Sequence, residues 1–147
     1  MASLKGCSQR VVGAQLIVGA QKGATNLPYR LDVLRRNRRL SRRDQIEEIT
    51  KKGDKKDSRF LVARSRVNEL KYNRYGIVVS LKMEKSAVKR NKIRRQIYEI
   101  IHILEKSGAV PKSPTFDIVL FARKPLLTED FNGLQNAVKE ILTKIYE

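Results

Sequence analysis

The chain has 147 residues, and its 32 lysine and arginine residues against 15 aspartate and glutamate residues give a formal net charge of +17 at pH 7. Apolar residues make up 41% of the sequence, which is enough for one globular core and more than a disordered chain usually has. No apolar run approaches the roughly 18 residues of a membrane-spanning helix, and the single Cys7 and single His102 exclude an internal disulfide and a zinc cluster. We expect a one-domain cytoplasmic protein without a membrane partner.

The excess positive charge lies in the first two thirds of the chain. Residues 1–95 contain 26 basic and 8 acidic residues, whereas residues 96–147 contain 6 and 7. A polarised distribution of this kind is typical of a nucleic-acid-binding face on an otherwise ordinary domain. The alternative is the evenly solvated surface of a basic protein.

Residues 1–33 differ in composition from the rest. They contain no acidic residue before Asp32, hold four of the eight glycines and show no sustained helical or strand period. A secretory signal is disfavoured because the apolar stretch 11–20 is broken by Gln15 and two glycines, and a transit peptide fits only in part. We expect a disordered or mis-started extension, with the folded domain at residues 34–147.

The first element predicted in this domain is a helix of about three turns. Ser41 can cap its first turn, and Asp44 completes a near capping box. Ile46 and Ile49 form a short apolar stripe, and Gly53 ends the helix.

Two runs rich in β-forming residues follow, at 60–63 and 75–81, and they predict strands. The second run alternates between a bulky face and a face small enough for close approach by a ligand or backbone. The small face comprises Gly76, Val78 and Ser80.

The pattern then changes to a period of 3.6 over residues 86–107, with one apolar stripe that runs from Ile93 to Leu104. A strand at 117–122 and a final helix after Thr128 complete the chain. The order α-β-β-α-β-α, with room for a further strand, predicts an α/β fold: a two-layer α+β sandwich with helices packed on a small mixed sheet.

The start of the long helix has a strongly basic face. Arginines spaced four residues apart repel one another by a few tenths of a kcal/mol, so a bound anion is expected to offset the repulsion. Guanidinium groups bind phosphate oxygens in pairs, and a neighbouring amide can reach a sugar hydroxyl, which suits a folded RNA backbone. A solvated basic face is the alternative. The predicted RNA-binding residues here are Lys85, Lys89, Arg90, Asn91, Lys92, Arg94 and Arg95.

A second basic block precedes and enters the first helix. It adds Arg36, Arg38, Arg39 and Arg42 to the predicted RNA-binding residues. Phosphate contacts from both blocks would make binding strongly salt-dependent. A flexible basic arm without specific geometry is the alternative for this block.

Three motifs in this order resemble those of the protein subunit of bacterial ribonuclease P, and the resemblance covers Leu34 to Ile145. The first motif is Arg36-Asn37-Arg38-Arg39-Leu40. The second is a strand that ends in Ser80, followed by the helix Ala87-Val88-x-Arg90-Asn91-x-x-Arg94-Arg95. The third is the run from Asp117 to Pro125.

The resemblance implies a protein that binds the catalytic RNA of ribonuclease P and precursor tRNA. In that family the RNA, with Mg²⁺, removes the 5′ leader, so the protein needs no catalytic residue or cofactor of its own, and no protein partner is expected. The basic helix would contact the catalytic RNA near its active site. A cleft between the first helix and the sheet would hold the leader, by position at Ile46, Thr50, Phe60 and Ala63. A left-handed crossover helix is also implied, against the general rule.

The sequence departs from the family pattern in three places. Ile46, Thr50 and Ala63 stand where family members usually carry aromatic residues, so reduced base stacking and little leader sequence preference are expected. Tyr98 replaces a further basic residue, and one extra residue lies between Ser80 and the helix.

Two other classes of function compete with this interpretation. A structural RNA-binding protein, such as a ribosomal protein, fits the composition equally well. A protein nuclease would need a positioned base or carboxylate pair, whereas His102 falls on the polar side of its helix and Asp117 has no acidic neighbour in sequence.

Overall fold

The computed structural model describes residues 34–147, so the expectations for residues 1–33 lie outside the described part of the chain. We number its elements α1 to α3 and β1 to β4. In chain order they are α1 (Arg43–Lys52), β1 (Asp54–Asp57), β2 (Leu61–Val67), β3 (Arg74–Val78), α2 (Ala87–Lys106), β4 (Phe116–Ala122) and α3 (Phe131–Tyr146), with 3₁₀ turns at Arg36–Arg38 and Lys124–Thr128. No helix in the described part has both the length and the apolar composition to cross a membrane.

The four strands form one mixed sheet in the order β1-β2-β4-β3. β2 pairs antiparallel with both β1 and β4, whereas β3 and β4 are parallel. α2 provides the crossover between these parallel strands. The predicted mixed α/β class is confirmed, and the left-handed sense of the crossover stays a prediction.

Helices cover both faces of the sheet. The larger core joins α2 and α3 to one face, where Ile100, Ile118, Leu120 and Ile141 are fully buried. On the opposite face, Ile49 of α1 packs in a smaller cluster around Val119. α1 therefore adds a partial third layer to the two that the sequence predicts.

The ends of α1 differ from the expectation in one detail. The residue before the helix is Arg42 rather than Ser41, and no side chain caps this end. At the other end Gly53 N–H donates to Ile49 O over 2.7 Å, as the predicted stop requires. A methyl group on Gly53 would lie 2.5 Å from that oxygen and 2.9 Å from Ser65 O, so glycine lets α1 end against β2.

α2 follows its predicted pattern closely. Ser86 precedes the helix and its Oγ accepts from Lys89 N–H over 3.4 Å. The apolar stripe faces the core, with Ile97 and Ile101 fully buried. The helix ends at Lys106, and Gly108 follows two residues later with a φ of 77°, in the left-handed region that favours glycine.

β1 has no counterpart among the strands that the sequence predicts. β1 has the sequence Asp-Lys-Lys-Asp, and it is a strand because its backbone pairs with β2.

On the small face of β3, Gly76 lies against the chain that leads into α1: an added Cβ would approach Leu40 Cβ to 3.2 Å. The close approach predicted there is therefore made by protein.

Candidate nucleic-acid interface

The first half of α2 and the turn before it form a basic surface, which we call the α2 basic face. Two of its members, Arg90 and Arg94, are half-buried. The exposed members are Lys85, Lys89, Asn91, Lys92 and Arg95. Within residues 34–147, none of these cations forms an ion pair with a carboxylate.

Arg90 connects α2 to the preceding turn. Its Nη1 donates to Glu84 O over 2.9 Å and to Lys85 O over 2.8 Å. Ser86 N–H in turn donates to the Glu84 carboxylate over 2.9 Å. Arg90 thus fixes the start of the helix with one nitrogen, and its other N–H groups donate to no residue within 34–147.

Arg94 and Asn91 are held as a pair one turn further along. Arg94 Nη2 donates to Asn91 Oδ1, so the guanidinium group and the amide lie side by side on the exposed surface. The first turn of α2 has no acidic residue, although the positive end of the helix dipole favours one there. The dipole and the cations add up to a site that attracts anions.

The second basic block divides into exposed and bound residues. Arg36 and Arg42 are exposed. Arg38 instead contacts Glu105 on α2, with 2.5 Å between Nη1 and Oε2. Arg39 donates from Nε to Leu34 O over 2.8 Å, and its guanidinium carbon lies 4.9 Å from the centre of the Tyr98 ring.

A groove of about 440 Å³ lies between α1 and the sheet. Ile46 of α1, Val78 of β3 and Phe121 of β4 supply its apolar surface. Thr50 Oγ1 donates to Ile46 O over 2.6 Å, so its hydroxyl proton is already used. The remaining lining residues are Ser41, Arg43, Glu47 and Lys51.

Two of the four residues expected in the leader cleft lie elsewhere, and that part of the prediction is corrected. Ile46 and Thr50 line the groove. Ala63 is fully buried in the larger core on the opposite face of the sheet, and Phe60 packs against the same core. The reason is the alternation of β2, whose Leu61, Ala63 and Ser65 share the face turned away from α1.

Sequence reasoning missed Val78 and Phe121 as lining residues. Val78 was assigned to the small face of its strand, but nothing in the sequence says which element covers that face. Phe121 alternates with the buried Leu120, so it points to the α1 side. It supplies the groove with an aromatic ring, whereas the sequence predicts that ring at Phe60.

Asp117, the carboxylate considered as a nuclease residue, is already paired with Arg74. Arg74 donates to both oxygens of Asp117, over 2.8 and 2.5 Å, and Asn68 donates over 2.7 Å. The hydrogen bonds with Asp117 raise the pKa of Arg74, which keeps the guanidinium charged. Among residues 34–147, no cluster of histidine, cysteine and acidic residues could hold a metal ion.

A small mixed α/β domain with a basic helix face and an apolar groove presents the kind of surface that is typical of RNA-binding proteins. The family model described as Ribonuclease P matches residues 34–146. The chain therefore belongs to the ribonuclease P protein family, and it is an RNA-binding protein component of this tRNA-processing ribonuclease.

Individual relatives agree over most of the chain. The ribonuclease P protein component of Thermotoga petrophila is 36% identical over 115 residues, which cover 76% of this chain and 93% of the relative. Among solved structures, the RNase P protein of Staphylococcus aureus has a TM-score of 0.64 at 29% identity and covers 74% of this chain and 94% of its own. The RNase P protein from Thermotoga maritima has a TM-score of 0.62 at 33% identity, with coverage of 72% and 96%.

Proposed function

We propose that the chain binds the catalytic RNA of ribonuclease P through the α2 basic face, and the 5′ leader of precursor tRNA through the groove beside α1. The RNA and its Mg²⁺ carry out the cleavage, and the protein contributes binding and orientation without a cofactor of its own. The reaction takes place in the cytoplasm.

The observation that carries this proposal is that the α2 basic face is both unneutralised and held in place by hydrogen bonds. Its cations have no carboxylate partners in the described chain, and Arg90, Arg94 and Asn91 are held in fixed positions by hydrogen bonds. Fixed guanidinium groups lose little conformational entropy when they bind phosphate oxygens. A surface that is only solvated does not need this order.

Reconstitution with a bacterial ribonuclease P RNA tests the main proposal. We expect the full chain to increase the rate of 5′ leader removal at low Mg²⁺, where RNA-only cleavage is slow. A ribosomal or other structural RNA-binding protein would bind RNA without this stimulation. Unchanged turnover at low Mg²⁺ would sink the proposed function.

Filter-binding titrations against salt test the α2 basic face. Arg94→Ala and Arg95→Ala should each weaken binding and flatten the slope of log affinity against log salt by about one unit for every phosphate that the variant no longer neutralises. Arg90→Ala should also weaken binding, both by charge and by release of the turn. The control is Lys139→Ala on α3, an exposed lysine outside this face, which should leave the slope unchanged. Equal slopes for parent and α2 variants would contradict the assignment.

The groove is tested by the length of the leader. Phe121→Leu keeps an apolar side chain in the small cluster but removes the ring, so it should weaken binding of a long-leader precursor by about 1 kcal/mol or more. Binding of a precursor with a single-nucleotide leader should not change. Phe131→Leu, at a partly exposed ring that starts α3, is the matched control. Equal losses for both precursors would remove the leader from this groove.

A further inference from the structure

Residues 34–42, which we call the arginine segment, are attached to the edge of β3. Leu34 at its start and Leu40 near its end are buried. Arg39 pairs with Tyr75 as an isolated parallel bridge, and Leu40 N–H donates to Tyr75 O over 2.7 Å. The arginine segment therefore extends the sheet at β3 and is held there by backbone contacts.

Glu105 on α2 is the centre of a second attachment. One of its carboxylate oxygens accepts a hydrogen bond from Arg38 Nη1 over 2.5 Å, and the other accepts one from the hydroxyl of Tyr75 over 3.1 Å. The Glu105 side chain is only 14% exposed, and the Arg38 guanidinium also lies 5.7 Å from the ring of Tyr72. Burial raises the pKa of Tyr75 above its ordinary value, so this hydroxyl remains a donor.

Tyr98 provides a third attachment, one helical turn beyond Arg94. The Arg39 guanidinium stacks on the Tyr98 ring, and the Tyr98 hydroxyl donates to Tyr75 O over 3.4 Å. Arg38 and Arg39 are therefore directed inward to α2. In contrast, Arg35, Arg36 and Arg42 are exposed, and none forms an ion pair within residues 34–147.

We propose that Glu105 is a positioning residue for RNA binding: through Arg38 it holds the arginine segment against α2, so that Arg35, Arg36 and Arg42 extend the α2 basic face. This inference rests on the proposed function. It also gives Arg38 and Arg39 a task in the fold, whereas the sequence suggested RNA contacts for both.

The proposal makes a prediction opposite in sign to simple electrostatics. Removal of a carboxylate from a basic protein should strengthen its attraction to RNA. If Glu105 positions the arginine segment, its loss should instead weaken binding, because the segment must be ordered again at the expense of binding free energy.

The experiment compares Glu105→Gln with Glu99→Gln in the full chain. Both remove one negative charge from α2, but Glu99 is half-exposed and has no ion pair within residues 34–147. With ribonuclease P RNA in filter-binding titrations, Glu105→Gln should lower affinity about fivefold or more, the low end of typical coupling between linked sites. Glu99→Gln should leave affinity unchanged or slightly raise it.

A double-mutant cycle with Arg38→Gln separates the ion pair from other effects. In the Arg38→Gln background, a further Glu105→Gln should no longer weaken binding. If Glu105→Gln lowers the melting temperature strongly, the comparison moves to Arg38→Gln, which leaves Glu105 its bond from Tyr75, and to Lys139→Gln, which also removes one positive charge but from α3. Arg38→Gln should weaken binding more than Lys139→Gln does.

Different outcomes overturn different statements. If the parent stimulates the RNA but Glu105→Gln binds as tightly as Glu99→Gln, the positioning role is wrong and the proposed function stands. An Arg38→Gln variant with parental affinity, or an equal loss from Glu105→Gln in both backgrounds, also overturns it. If the parent chain fails to bind ribonuclease P RNA, the proposed function fails as well.

Discussion

Two tyrosines packed in the core, the buried Tyr75 and the partly buried Tyr146, have different surroundings. The hydroxyl of Tyr75 donates to Glu105, whereas that of Tyr146 is buried without a hydrogen-bond partner among residues 34–147. The Tyr146 ring meets the edge of Phe116, with 5.2 Å between ring centres. A buried hydroxyl without a hydrogen-bond partner costs free energy, so the Tyr146 hydroxyl is not expected to stabilise the fold.

Removal of the two hydroxyl groups should therefore have different effects on stability. Tyr146→Phe should leave the free energy of unfolding unchanged or raise it, because an unsatisfied polar atom is lost. Tyr75→Phe should lower it by about 1 kcal/mol, the usual net value of a hydrogen bond. Urea unfolding at neutral pH measures both, and an equal loss for the two variants would show that Tyr146 has a partner in solution.

At the scale of elements, the docking of α1 depends on one close contact. Gly53 lies where the end of α1 meets β2, and the nearest atoms to an added Cβ are backbone oxygens that cannot move aside. Gly133 in α3 is the natural comparison, because the atoms nearest its Cβ position belong to the side chains of Glu129 and Asp130.

We expect Gly53→Ala to destabilise the protein by about 1–3 kcal/mol, the usual cost of overpacking. Gly133→Ala should cost less, because Glu129 can rotate away. Thermal unfolding measures the difference. Since α1 forms one wall of the groove, Gly53→Ala should also weaken binding of long-leader precursor tRNA, and similar melting temperatures for the two variants would contradict this account of α1.

The elements also show what the sequence could and could not predict. α2 was predictable because its apolar stripe repeats every 3.6 residues and is bounded by Ser86 and Gly108. β1 was not, because a strand of charged residues has no apolar alternation and is formed by its pairing with β2. The alternation of β2 and β4 defines two faces, but only the fold shows that α1 covers Val119 and Phe121 while Ala63 faces the other helices.

For the whole molecule, the buried tyrosines predict a limit to stability at alkaline pH. Burial raises the pKa of Tyr146 from 10.0 to about 12 and also raises those of Tyr75 and Tyr98. In the unfolded chain these hydroxyls ionise near pH 10, whereas the folded protein keeps their protons. The free energy of unfolding should therefore be unaffected by these groups below pH 10 and fall as the pH rises above it.

Melting temperatures between pH 8 and about pH 11 test this expectation. The parent should lose stability from about pH 10 upward, and Tyr146→Phe should lose it less steeply, since one of the three linked protons is gone. Lysine deprotonation affects both proteins alike, so it cancels in the comparison. Parallel curves for parent and variant would show that Tyr146 does not contribute.

The two edges of the sheet, β1 and β3, affect whether copies of the protein can associate through their strands before they bind RNA. On one side β1 presents Lys55 and Lys56 between two aspartates, and on the other the chain around Arg39 and Leu40 already occupies β3. A charged border and an occupied border both discourage the addition of a foreign strand. Both edges of the sheet in residues 34–147 are therefore expected to resist strand-to-strand polymerisation before the protein binds RNA.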